Sequence, residues 1–167
     1  MSDATELRPG ECTAPAGAPD DARLVYIGRI RTPWTAVNDC PRIGQLDGPL
    51  CRIEIDAIWA LALDGIAIGS MIEAFYWFDQ SRRDLVLQMP RHAPAPRGTF
   101  SLRSPHRPNP IGVSAVRIEA IEGTTLVVRG LDCVDGTPLI DLKPRLCDFG
   151  SGANGHHGSD RHETRMG

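Results

Sequence analysis

Seven short runs of this chain are β-prone, several of them alternating hydrophobic and polar positions with a period of two. Residues 24–31 (L-V-Y-I-G-R-I-R), 51–55 (C-R-I-E-I), 70–78 (S-M-I-E-A-F-Y-W-F), 84–89 (D-L-V-L-Q-M), 113–121, 124–133 and 138–143 each predict a strand. The first stops at Thr32-Pro33, and the runs at 70–78 and 84–89 are placed to pair across the connection from Asp79 to Arg83. Glu122-Gly123 and Asp135-Gly136 supply turns between the last three runs. Only residues 56–63 (D-A-I-W-A-L-A-L) predict a helix, with Asp56 as N-cap and Gly65 beyond its end. In the last run, strict alternation puts Leu139, Asp141 and Lys143 on one face and Ile140 and Leu142 on the other. Six or so strands with one short helix predict an all-β domain. Curling the sheet into a small closed or nearly closed β-barrel removes the exposed edges that a flat sheet would leave.

The 167 residues, 41% hydrophobic, are enough for one core, which the patterning assigns to residues 22–148. Residues 1–21, rich in Ala, Pro, Gly and acids, are expected to be a disordered tail, and the Gly-rich residues 149–167 a flexible one. His156, His157 and His162 lie in that second tail, and no metal site is expected of them. No run approaches the roughly 20 apolar residues of a membrane span, and no signal segment opens the chain, so a cytoplasmic protein is expected. Cys12, Cys40, Cys51, Cys133 and Cys147 are odd in number and lack C-x-x-C spacing, which predicts reduced thiols. Residues 34–49 read as a long loop whose centre, Asp39-Cys40-Pro41-Arg42-Ile43-Gly44, is too apolar for easy disorder and suits a functional role.

Charge changes this picture locally. The net charge is −3, yet from Gln80 to Ile118 there are seven arginines (82, 83, 91, 97, 103, 107 and 117) against the single acid Asp84. A basic patch on an acidic chain fits a localised contact with phosphate or carboxylate better than whole-surface attraction to nucleic acid. Inside it, Pro105, Pro108 and Pro110 force Ser104, Arg107 and Asn109 out of the helical region. Arg103, Ser104, His106, Arg107 and Asn109 are thus held on a stiff loop. They can form a preformed site for an anionic or zwitterionic ligand, or a structural loop with solvated arginines. Asp141 and Lys143, the chain's only lysine, can be a surface ion pair or a reactive one. No phosphate-binding glycine loop, nucleophile elbow or H-E-x-x-H is present. The residues by themselves lead to an all-β binding module or enzyme with a basic, proline-stiffened site.

The run R-S-P-H-R-P-N-P-I-G-V-S, followed by L-x-V-x-G-L-D-C-V-D-G-T-P-L-I-D-L-K-P, resembles the signature of the YaeB-like family, tRNA methyltransferase O. The opening I-G-R-I-R-T-P-W and the later C-P-R are similar to that family's first strand and P-R-Q loop, so the resemblance spans about residues 24–144. It implies a small β-barrel homodimer that binds S-adenosylmethionine without a Rossmann fold. The implied activity is methylation of N6 of threonylcarbamoyl-adenosine beside the anticodon of tRNA. Carried over residue by residue, the cofactor contacts would be Pro41, Arg42, Ile43, Asp79, Gln80, Arg103, Val113, Asp135, Gly136, Thr137 and Pro138. His106, Arg145, Ile43 and Asp79 stand where Phe, Tyr, Gln and His are usual, and the C-terminal extension of longer relatives is not present in this sequence. An S-adenosylmethionine-binding sensor without tRNA methylation is therefore the alternative, and a smaller nucleoside or another RNA a third. Candidates for proton transfer are Asp141, His106 and Asp135, with Lys143 beside the first. Arg91, Arg97 and Arg107 are expected to form the rim that receives the anticodon loop.

Overall fold

Nine strands, described in a computed structural model over residues 7–13, 23–91 and 93–145, build two sheets. In chain order they are β1 (Cys12–Thr13), β2 (Gly28–Arg31), β3 (Cys51–Ile55), β4 (Met71–Trp77), β5 (Leu85–Gln88), β6 (Arg97–Gly98), β7 (Ile111–Glu122), β8 (Thr125–Arg129) and β9 (Pro138–Pro144). Six of them close into a barrel in the order β2-β3-β8-β7-β4-β9, and β1, β5 and β6 form a small separate sheet. Every neighbouring pair of barrel strands is antiparallel. The expected all-β barrel is what the chain forms.

Alternation explains the core. Along β4, residues alternate half-buried and buried, and Ile72, Ala74 and Tyr76 turn inward. Register then sets inward residues side by side: Ile30 faces Ile53, Ile53 faces Leu126, and Ile72 faces Val116. With Ile118, Val128, Leu131 and Leu139 these fill the barrel almost without exposure. A barrel this small is packed with side chains and has no lumen, so a ligand must bind at an end.

The structure corrects five of the sequence expectations. β5 does not pair with β4, because closure gives both edges of β4 to β7 and β9, and β5 pairs with β1 and β6 instead. Asp135-Gly136 makes no hairpin: β8 lies between β3 and β7 whereas β9 lies between β4 and β2, so the turn carries the chain across the barrel end. The β7–β8 hairpin does form, turning at Gly123-Thr124 with Gly123 at φ +62°. The segment Ala57–Leu63 is a 3-10 helix and not an α-helix. Asp56 gives it no side-chain cap, none of its residues is buried, and Gly65 at φ +86° follows it. In β9 a bulge opposite Phe75 and Tyr76 breaks the alternation: Leu139 turns into the core, while Asp141 and Lys143 face outward. Finally, part of the expected N-terminal tail is docked. β1 pairs with β5, and the Glu11 side chain, 3% exposed, accepts hydrogen bonds from Arg8 and from the Met89 N–H. The C-terminal tail with its three histidines, and Cys147, lie outside the described residues.

Candidate functional site at the barrel mouth

Four loops meet where β4 ends and β7 begins: residues 32–50, 78–84, 102–110 and 130–137. Each is fixed by bonds that its sequence supplies. In the proline-stiffened loop Arg107 donates from Nε to the Ser104 carbonyl at 2.9 Å and from its other arm to the Leu102 carbonyl. Gln88, buried on β5, donates to the His106 carbonyl at 2.5 Å. Arg83 donates to the Pro108 carbonyl at 2.9 Å while lying over the Trp77 ring. Part of the local arginine excess thus holds the loop together, where the structural reading of that loop had its arginines solvated. The first loop is pinned by close approach: a Cβ at Gly44 would lie 1.7 Å from the Gly130 carbonyl oxygen.

Two adjoining cavities open at this mouth, of about 390 and 500 Å³, within the usual range for ligand pockets. The first has walls of Val37, Pro41, Phe78, Pro105 and Val134, with Asp79, Gln80 and Thr137 as polar points. The second runs over Ile43, Gly44, Val113 and Ser114 toward Arg107. Arg42, Phe78, Arg103 and Asp132 line both, so these four residues mark the seam. Of the eleven cofactor contacts implied by the resemblance, Pro41, Arg42, Asp79, Gln80, Arg103 and Thr137 line the first cavity, and Ile43 and Val113 the second. Asp135, Gly136 and Pro138 line neither. Asp135 accepts from the Thr32 N–H and pairs with Arg31, the Gly136 N–H donates to the Ile30 carbonyl, and Pro138 is buried in β9.

The proton-transfer candidates divide. His106 lines the first cavity; burial, then repulsion by Arg8 and Arg82, lower its pKa against the smaller opposing pull of Glu11 and Asp84, so the imidazole is neutral near pH 7. Its Nδ1 is buried without a hydrogen-bond partner. Asp141 and Lys143 pair with each other at 2.5 Å, outside both cavities, and the ion pair is largely exposed. For RNA, Arg91 and Arg97 come together with Arg42 in a groove of about 350 Å³ over Pro90, Pro94 and Leu102. Arg107 is placed with the loop and the second cavity instead. Cys40 and Cys133 line the first cavity, and burial pushes both thiols up, so they serve as apolar wall. Among the described residues no group of three or more His, Cys, Asp or Glu is placed to hold a metal, and no helix is long and apolar enough to cross a membrane.

Two residues of the seam were missed in the sequence, Phe78 and Asp132. Asp132 accepts at Oδ1 from Ser114 Oγ at 2.9 Å and from the Tyr76 hydroxyl, and at Oδ2 from the Gly44 N–H at 3.2 Å. Tyr76 is 1% exposed, and burial, then the Asp132 charge, push its phenol far above the usual range, so it remains a donor. Its ring packs edge-on to Phe78 at 5.2 Å. Gly112 makes room for it, since a Cβ there would lie 2.1 Å from the ring.

The sequence profile of the tRNA-methyltransferase O N-terminal domain matches residues 29–150. The chain belongs to the TrmO family. It is 49% identical over 140 residues to a probable S-adenosyl-L-methionine-binding protein, VirR, of Rhizobium radiobacter, covering 84% of this chain and 80% of that one. It is 39% identical over 120 residues to an S-adenosyl-L-methionine-binding protein of Archaeoglobus fulgidus, covering 72% and 86%. A tRNA (adenine(37)-N6)-methyltransferase of Mus musculus is 43% identical over 79 residues, covering 47% of this chain and 18% of that one. The crystal structure of TrmO from Pseudomonas aeruginosa superimposes with a TM-score of 0.62 at 30% identity, over 83% of this chain. The match spans 62% of that TrmO chain.

Proposed function

We propose that this TrmO-family protein transfers a methyl group from S-adenosylmethionine to N6 of threonylcarbamoyl-adenosine beside a tRNA anticodon, in the cytoplasm. The observation that carries the reading is the pair of cavities that meet at Arg42, Phe78, Arg103 and Asp132, with a basic groove opening beside them through Arg42. Group transfer needs two ligands in contact, and two concavities with a common wall provide that.

The residues present suit the cofactor. Phe78, Pro41, Pro105 and Val134 offer an apolar slot for a purine, Asp79 and Gln80 offer polar contacts at its mouth, and the guanidinium of Arg103 suits a carboxylate. When bound, S-adenosylmethionine supplies a methyl group already activated on a sulfonium. The protein's part is therefore mainly to orient and to exclude water. Proline-stiffened loops and the Gly44–Gly130 contact hold the walls still, and Arg91, Arg97 and Arg42 can take RNA phosphates beside the acceptor. Neutral His106 faces the first cavity as a proton acceptor or donor. A second copy of the chain is the proposed protein partner, on the exposed apolar face of the 3-10 helix, where Ile58 and Leu61 are 81% and 92% exposed.

The alternative, a cofactor-binding sensor, is supported by the imidazole of His106 in the mouth, where the family usually carries Phe, and by relatives named only for binding. Incubation with methyl-labelled S-adenosylmethionine and tRNA with or without threonylcarbamoyl-adenosine separates the two. Label in the modified tRNA alone is the expected outcome. Cofactor binding with no label in either RNA would establish the sensor, and label in unmodified tRNA would overturn the substrate assignment.

A further inference from the structure

We propose that Asp132 reads the positive charge of the sulfonium, so that the site holds S-adenosylmethionine and releases the uncharged product S-adenosylhomocysteine. This rests on the cofactor and not on the identity of the RNA. With the purine of the cofactor in the first cavity, its contacts continuing to Ile43 and Val113, and the acceptor entering through the second, the reacting methyl lies at their junction, and the sulfonium sulfur is bonded directly to that methyl. The seam between the two cavities is lined by Arg42, Phe78, Arg103 and Asp132. Two of these are cations that by themselves repel a sulfonium, and Asp132 alone is an anion.

Three features make Asp132 a fixed charge. Its carboxylate is held by three neutral donors, Gly44 N–H, Ser114 Oγ and the Tyr76 hydroxyl, drawn from three separate parts of the barrel mouth. Buried Tyr76 cannot move aside, because Gly112 and Phe78 pack against its ring. No lysine, arginine or histidine forms an ion pair with Asp132 among the described residues. A carboxylate taken partly out of water without a cationic partner is costly, and a cationic ligand offsets that cost. Asp79, the other acid of the first cavity, is exposed at a turn and lies off the seam, which leaves it free to contact another part of the ligand. Phe78, the aromatic residue of the seam, can add a second, weaker attraction for the same charge.

The test is calorimetric affinity for S-adenosylmethionine and for S-adenosylhomocysteine in the unaltered protein, in Asp132→Asn and in Tyr76→Phe, with melting curves to confirm folding. The unaltered protein should prefer the charged ligand by about tenfold or more, on the order of what close approach of opposite unit charges gives near a protein surface. Asp132→Asn should abolish that ratio chiefly by weakening S-adenosylmethionine, and Tyr76→Phe, which frees the carboxylate to swing, should reduce it. Equal affinities in the unaltered protein overturn the proposal whatever the variants do. An equal loss for both ligands in Asp132→Asn overturns it too, and reassigns the carboxylate to the amino group that both ligands share. Failure of both ligands to bind at all would count against the cofactor itself, a distinct result.

Discussion

Arg103 is the residue on which the site's anion recognition should turn. It lines both cavities and forms no hydrogen bond or ion pair among the described residues, whereas Arg52 is paired with Glu122 on the outer barrel wall. Arg103→Ala should weaken S-adenosylmethionine binding about ten- to a hundredfold, the worth of charge-assisted bonds of roughly 1.5–3 kcal/mol, and Arg52→Ala should leave it unchanged. Calorimetry on the two variants decides this, and equal affinities would remove Arg103 from the cofactor site. Gly112 makes a second case: a Cβ 2.1 Å from the Tyr76 ring must displace a fully buried side chain, so Gly112→Ala should lower stability by about 1–3 kcal/mol in thermal melting. Gly98→Ala, with nothing within 4 Å of the added carbon, is the control. Residue by residue, cavity-lining positions carried by local motifs were legible in the sequence, among them Arg42, Arg103, Asp79, Gln80 and Thr137. Asp132 was not, because its partners Gly44, Tyr76 and Ser114 are 88, 56 and 18 residues away and only barrel closure unites them. The available signal was alternation in L-D-C: Leu131 and Cys133 are both 1% exposed, which turns Asp132 the other way.

At the scale of elements, strands were readable and their partners were not. Period-two patterning located β2, β3, β4, β7, β8 and β9, since a half-buried strand must alternate. Pairing is a property of the closed sheet, so adjacency in sequence misassigned β5 to β4. Nor could composition show that β1 would dock, because its anchor is one acid, Glu11. Desolvation pushes that carboxyl up, but hydrogen bonds from the Arg8 side chain and backbone and from the Met89 N–H outweigh it and hold it below the ordinary glutamate range. The contribution is fully present above about pH 4.3 and is lost as pH falls through the lowered value. Glu11→Gln should therefore speed hydrogen exchange in residues 85–88 at pH 6 to 7, and the difference from the unaltered protein should disappear as pH falls below the ordinary glutamate range and through the lowered value. The 3-10 helix poses the opposite case, apolar yet buried nowhere. Leu61→Glu should leave the melting temperature of the monomer within a degree or so and abolish any dimer in sedimentation velocity. A dimer unaffected by this change would place the interface elsewhere.

For the molecule as a whole, net charge misleads and its distribution informs. A chain of net charge −3 should repel tRNA, yet Arg91 and Arg97 share a groove with Arg42 beside the cavities. tRNA affinity should fall steeply with salt while S-adenosylmethionine affinity changes little, because phosphate contacts release counterions. The double substitution Arg91→Ala, Arg97→Ala should flatten that slope, and an unaltered slope in filter binding would move the RNA to another face. Closure of the barrel has a further consequence, for how the protein is made. The last strand in sequence, β9, is the stave between β2 and β4, so the sheet stays open along both until residue 144 has left the ribosome. Until then the nascent chain carries at least two unpaired edges, among them that of β4 with its aromatic Phe75, Tyr76 and Trp77. Co-expressed chaperones should therefore raise the folded yield, measured against total protein synthesised.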